Sequence, residues 1–180
     1  NNFVVYFKKV LYLDLKYFYG GLQMSIENAR KYLSQFNRDK DIMEFDVSSA
    51  TVDLAASALN VIPARITKTL AFKKDDSCIL IGMAGDAKID NKKFKHEFGL
   101  KAKMLTPEET LTLTGHAVGG VCSFGVPENV KSYVDISLKR FDTVFPACGS
   151  SNSAIELNCD DLFYLTKSEK WVDVCKDWED

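Results

Sequence analysis

The strongest constraint on the fold comes from residues 66–84. Ile66-Thr67-Lys68-Thr69-Leu70-Ala71-Phe72 and Cys78–Ala84 are rich in apolar and β-branched residues, and the charged Lys73-Lys74-Asp75-Asp76 lies between them. Two such runs flanking a short polar turn predict an antiparallel hairpin. Alternation puts Ile66, Lys68, Leu70 and Phe72 on one face and Thr67, Thr69, Ala71 and Lys73 on the other. A lysine therefore falls on the apolar face of its own strand, where desolvating an ammonium is costly. Two readings stand: Lys68 snorkels to water at a strand end or register shift, or it is a cationic group at the base of a cleft, awaiting an anion or a developing oxyanion.

Helix boundaries are marked by caps. Ser25 opens a helix to about Phe36, with Ile26, Ala29, Leu33 and Phe36 on one face. Thr51 and Asn60 bracket a helix over Val52–Leu59, and Pro63 starts a helical turn that carries Arg65. Asp90 caps a helix that ends at Gly99. Thr106-Pro107-Glu108-Glu109 combines N-cap, N1 proline and N3 glutamate, and Gly115 ends that helix. Short strands are expected at Ile42–Asp46, Ala102–Leu105, Ser132–Ile136, Thr143–Ala147, Ala154–Leu157 and Trp171–Val174, with a helix near Asp161–Thr166. This irregular mixture lacks βαβ spacing and predicts a single α+β domain with a mixed, curved, barrel-like sheet and surrounding helices.

At 180 residues and 46% apolar composition the chain can build a genuine core. A net charge of −2 argues against a general nucleic-acid coat protein, though not against a local basic patch. Charge is uneven along the chain. Residues 65–103 hold ten basic and five acidic residues, whereas 156–180 hold three basic and eight acidic. The first segment, with Lys68, Lys92, Lys93 and Lys95, could steer a polyanion, or present a solvated helix face. No apolar run is long enough to span a bilayer, so no membrane partner is expected. Five dispersed cysteines without a C-x-x-C pair suggest reduced thiols in a cytoplasmic protein, and with His96 and His116 they complete no zinc pattern, so no structural metal is expected; no cofactor is expected either.

Residues 1–23 differ from the rest of the chain. They are heavy in Phe, Tyr, Leu, Lys and Asn, lack Ala, Ser and Thr, and precede Met24. They are expected to be either translated upstream sequence or an N-terminal extension docked on the domain, and no function is assigned to them. The domain proper is expected over 24–180.

Two loops are candidates for chemistry. Gly115-His116-Ala117-Val118-Gly119-Gly120-Val121-Cys122-Ser123-Phe124-Gly125 has four glycines in eleven residues, so its backbone can approach a ligand and offer N–H groups to an oxygen. The competing reading is a tight structural crossover. Pro146-Ala147-Cys148-Gly149-Ser150-Ser151-Asn152-Ser153 suits a turn or a polar pocket wall. His116 with Cys122 or Cys148 raises a thiol nucleophile, which requires hydrogen-bond contact and a lowered thiol pKa.

Together, Ile66-Thr67-Lys68-Thr69-Leu70, the G-H-x-x-G-G-V-x-x-F-G string at 115–125 and Phe145-Pro146-Ala147-Cys148-Gly149-Ser150 resemble the YbaK/EbsC-type aminoacyl-tRNA deacylases. That family is related to the editing insertion domain of bacterial prolyl-tRNA synthetases. The resemblance covers about Met24 to Cys175. It departs at Ser123, where the family commonly has Pro, and at Cys148, where Gly is frequent and a cysteine would narrow the pocket.

The resemblance implies a metal-free hydrolase acting in trans on the ester that joins a wrong amino acid to the terminal adenosine of tRNA. The implied substrate is Cys-tRNA(Pro) or another small non-cognate amino acid on tRNA(Pro), with prolyl-tRNA synthetase a possible partner. It implies catalytic roles for Lys68, Gly119 and Gly120, and substrate binding by His116, Val121, Phe124, Cys148, Gly149 and Ser150. A binding module without turnover and a cysteine-dependent hydrolase are the alternatives.

Overall fold

The computed structural model describes residues 25–178, so the expected extension at 1–23 lies outside the described residues. Among the described residues, five helices surround a six-stranded sheet curled into a half-barrel. The helices are α1 (residues 25–34), α2 (Val52–Leu59), α3 (Asn91–Phe98), α4 (Pro107–Thr114) and α5 (Cys159–Leu165). The strands are β1 (Met43–Glu44), β2 (Ile66–Lys74), β3 (Ser77–Ala84), β4 (Lys88–Ile89), β5 (Lys131–Asp135), β6 (Thr143–Pro146), β7 (Ser153–Ala154), β8 (Leu157–Asn158), β9 (Trp171–Val172) and β10 (Cys175–Lys176). The main sheet runs β8-β6-β2-β3-β5-β9, while β1 pairs with β7 and β4 with β10.

The expected hairpin is the centre of this sheet. β2 and β3 pair without interruption from Thr67↔Ala84 to Lys74↔Ser77. Phe72, Ile79, Ile81 and Met83 pack with Phe94 of α3, whose ring lies 4.8 Å from that of Phe72. On the opposite face Ala71, Cys78 and Leu80 meet Leu105 and Val130, joined by Leu113 of α4 and Val121 of the glycine-rich loop. Parallel β6 joins the other edge of β2 only at Ile66↔Phe145 and Thr67↔Pro146 and then diverges. That divergence opens the sheet.

Three of the expected caps act as their side chains dictate, whereas Ser25 lies within α1 and its hydroxyl is bonded to His116 Nδ1 instead. Thr51 accepts from Leu54 N and Asp90 from Lys92 N and Lys93 N. Thr106 and Glu109 form a complete capping box. The irregular strands are shorter than expected. Met43–Glu44 and Trp171–Val172 are two residues each, and the Val174 N–H is taken by Asp135 Oδ2 at 2.9 Å instead. Expected strand Ala154–Leu157 splits, because Ala154 pairs with Met43 whereas Leu157 pairs with Val144. Residues 102–105 form only a bridge at Met104, tied to the outer edge of β2 through Lys73 N to Lys103 O (2.8 Å) and Leu105 N to Ala71 O (3.0 Å). No described helix is long and apolar enough to cross a membrane.

Candidate active site

A cavity of about 300 Å³ lies where β6 leaves β2. α2 contributes Val52, Ala55 and Leu59, the segment before it Ser49 and Ala50, and the glycine-rich loop Val118, Gly119 and Val121. Residues 66–71 form its floor. The bonds of Ala71 and Lys73 to residues 103–105 point away from β3. The two-residue period of the ladder therefore turns the Thr69 N–H and C=O the same way, toward the open edge. Val118 and Met104 are well exposed and line the same cavity.

Lys68 sits half-buried at this wall, and its Nζ donates to the Gly85 carbonyl at 2.9 Å. Burial pushes its pKa down, opposed by the nearby carboxylate of Asp86 and aided by Lys88. Asp86 is itself held by Arg140, with contacts of 2.6 and 3.0 Å. Among the described residues no carboxylate pairs with Lys68. An ammonium has three donors, and one carbonyl uses one of them. The group fits a site for a phosphate or carbonyl oxygen.

Lys68, Gly119 and Val121 thus meet at one cavity. The other residues the resemblance singled out do not line it. His116 is 1% exposed; its Nε2 lies 3.0 Å from the Phe124 carbonyl and its Nδ1 2.6 Å from Ser25 Oγ. A carbonyl can only accept, so Nε2 carries the proton and Nδ1 accepts from the Ser25 hydroxyl. Burial keeps the ring's pKa below its ordinary value, and His116 serves as a neutral strut between α1 and the loop. Phe124 and Cys148 are fully buried in the main core. The expectation that Cys148 narrows the pocket is therefore corrected, because its side chain packs behind the wall.

Gly120, Gly149 and Ser150 make the second layer. A Cβ on Gly120 would fall 2.7 Å from Ser150 C and 2.8 Å from Gly149 C, so glycine lets the two loops touch. Gly149 has φ +87, and a Cβ there would strike the Ser25 carbonyl. Ser150 Oγ is bonded to Asn152 Oδ1 (2.9 Å) and Ser153 Oγ (2.8 Å). Asn152 Nδ2 in turn holds Phe45 O, and Ser151 O receives Ser49 N, which fixes the segment entering α2.

The thiols are not activated. Cys122 is 3.6 Å from His116 Nε2, but that nitrogen's proton is committed to Phe124 O. Burial pushes Cys122 up to about 12 and Cys148 well above the ordinary thiol range. Among the described residues no group of three or more His, Cys, Asp or Glu is placed to hold a metal ion. Sequence reasoning did not bring in Ser49, Ala50, Val52, Ala55, Leu59 or Gly85, which carry no motif and reach the site only through the path of the chain. Thr67 and Thr69 lay inside a quoted motif without a role.

Over most of its length the chain is similar to known proteins. The family model described as the aminoacyl-tRNA editing domain matches residues 47–165. The chain is 54% identical over 157 residues to the uncharacterized protein YwhH of Bacillus subtilis, covering 87% of this chain and all of that one. It is 33% identical over 102 residues to the proline--tRNA ligase of a Geobacillus species, a match spanning 56% of this chain and 18% of the ligase. Among solved structures, a crystal structure of a candidate trans-editing enzyme for prolyl tRNA synthetase superposes with a TM-score of 0.77 at 25% identity, covering 84% of this chain and 97% of that one. The chain belongs to the aminoacyl-tRNA editing domain family, and it is homologous to part of prolyl-tRNA synthetases.

Proposed function

We propose that this protein is a trans-acting deacylase that hydrolyses the ester of tRNA(Pro) carrying a small non-cognate amino acid, with Cys-tRNA(Pro) one candidate, in the cytoplasm. The observation that carries the reading is the half-buried Lys68 ammonium, without a carboxylate partner among the described residues, at the wall of a cavity bounded by Gly119 and Val121. An aminoacyl ester is already activated, so the protein need not supply a nucleophile. A water, or the substrate's own thiol, attacks the carbonyl carbon. The bond from that carbon to the ribose oxygen breaks, the nucleophile's proton ends on the ribose oxygen, and tRNA with a free terminal hydroxyl separates from the amino acid or its thiolactone. Negative charge develops on the carbonyl oxygen during the attack, and a preorganised ammonium in a partly dry site stabilises that charge far better than water does. The loops hold the ester in place, converting a slow encounter into an intramolecular one.

Lys68 alternatively grips the terminal phosphate, and both roles draw on the same unused donors. Prolyl-tRNA synthetase is the natural partner, since mischarged tRNA leaves that enzyme. The test is release of amino acid from tRNA(Pro) charged separately with Cys, Ala, Ser, Thr and Pro. Release of non-cognate residues with Pro-tRNA(Pro) spared is expected. Equal, background-level release from all five would overturn the proposal.

A further inference from the structure

A second cavity, of about 330 Å³, lies against the face of β2 that carries Lys68, Leu70 and Phe72. Phe72, Met83 and Ala87 are buried and make its floor, while Leu70, Ile89, Ala102 and Met104 keep exposed surface and make its walls. The rest of its lining is polar: half-buried Lys68, with Lys88 and Asn91, both exposed. Lys68, Leu70 and Met104 also line the first cavity. That first cavity touches the six consecutive residues 66–71, and successive side chains point to opposite faces of a strand, so it meets β2 along its edge. The two cavities therefore flank the open edge of β2, where the Thr69 N–H and C=O lie without a strand partner.

We propose that the second cavity seats the adenine of the substrate's terminal nucleotide, with the ribose across the Thr69 edge and the esterified amino acid in the first cavity. This rests on the deacylase reading above. Each stage of the path matches the chemistry placed there. The strand edge offers one donor and one acceptor, which suit the free hydroxyl of the ribose. A purine is a flat ring with apolar faces and a polar edge. The walls of Leu70, Ile89, Ala102 and Met104 cover such faces, as apolar side chains do for an unstacked base. The Asn91 amide carries a donor and an acceptor side by side, the pair that the 6-amino group of adenine and its neighbouring ring nitrogen require. Asp90, not Asn91, caps α3, so the helix leaves that amide to a ligand. Charge agrees as well. No carboxylate lines either cavity. Lys88 gives one donor to Asp177 at 3.2 Å and keeps two, and with Lys68 it favours the anionic backbone that arrives with the base.

The experiment compares kcat/KM on tRNA(Pro) ending in adenosine with tRNA(Pro) ending in purine riboside, which lacks the 6-amino group. Both carry the amino acid that the wild type releases fastest from the adenosine end. The wild type should be slower on the purine riboside end by roughly three- to tenfold, the effect of one hydrogen bond left unmade. Asn91→Ala should lose about as much on the adenosine end and no longer distinguish the two ends. Its melting temperature should match or exceed that of the wild type, since Asn91 is exposed and alanine is the better helix former. Ala102→Phe fills the cavity and should lower kcat/KM on both ends; Asn91→Ala decides the matter should phenylalanine disturb the fold. Equal rates on the two ends in the wild type, or a preference that survives in Asn91→Ala, would overturn the inference with the deacylase reading intact. An unchanged kcat/KM in a folded Ala102→Phe variant would overturn it likewise. Absence of wild-type release from any charged tRNA(Pro) would instead remove the deacylase reading and this inference together.

Discussion

The Lys68 ammonium is anchored 2.9 Å from the carbonyl oxygen of Gly85, at a position where no other residue fits. A Cβ at 85 would strike the Pro63 carbonyl and lie 2.6 Å from Val52 Cγ1. Gly85 therefore brings together the end of β3, the turn before β2, and the α2 residue that lines the cavity. Gly85→Ala should push α2 outward and displace the acceptor of Lys68. The expected cost is about 1–3 kcal/mol of stability, typical of overpacking, with a fall in deacylation larger than the stability loss explains. Urea unfolding and single-turnover kinetics on one variant check both.

His116 makes stability depend on pH. Its folded-state pKa lies below the ordinary histidine value because burial disfavours the imidazolium. The unfolded chain binds the proton more readily, so this contribution is fully present above about pH 6.5 and is lost progressively as pH falls below that value. Protonation would also turn Nδ1 into a donor facing the Ser25 hydroxyl and remove its role as acceptor. His116→Ala should flatten the stability profile between pH 7 and 5 and cost about 1–3 kcal/mol at pH 7.5, because Ser25 Oγ and Phe124 O lose their partner. Denaturation curves across that range decide the matter; a variant with the wild-type slope would assign the acid sensitivity to other groups.

Thiol chemistry should be dispensable. Cys122 and Cys148 are buried, and their raised pKa values leave almost no thiolate at neutral pH. Cys122→Ser should therefore retain activity. Alkylation of the native protein should reach Cys159 first, since it is the only cysteine of the five that is not buried. Mass mapping of the labelled sites against residual activity tests this. Rapid inactivation tracking with label on Cys122 would restore the nucleophile reading.

Sequence reasoning worked best where one side chain controls its own neighbourhood. Thr51, Asp90 and the Thr106/Glu109 box define helix starts through local hydrogen bonds, so three helices can be placed directly from their caps. The Ile66–Ala84 hairpin comes from alternation and a charged turn. Residues 102–105 and 154–157 were less tractable, because what they become depends on partners distant in sequence, such as Met43 and Val144.

Site residues divide in the same way. Lys68 stood out because its charge conflicts with its strand face. His116 and Cys148 belong to the same motifs as the cavity residues, but periodicity cannot separate a wall from the layer behind it. The uneven charge of 65–103 also reads differently in three dimensions. Arg65 pairs with Glu156, Lys88 with Asp177 and Lys93 with Asp173, so the acidic C-terminal segment offsets part of the basic one. Binding of the tRNA body should therefore weaken only modestly with salt compared with a fully unpaired basic stripe.

The most direct test of the account is the single-turnover rate of amino acid release from mischarged tRNA(Pro) by the wild type and by Lys68→Ala, with matched melting curves. The account predicts release of a non-cognate amino acid by the wild type, slowed roughly a hundredfold or more in the folded variant, as expected for loss of a principal charge-stabilising donor. Equal rates for the two proteins would contradict it, since the cavity would then work without the cation built into its wall.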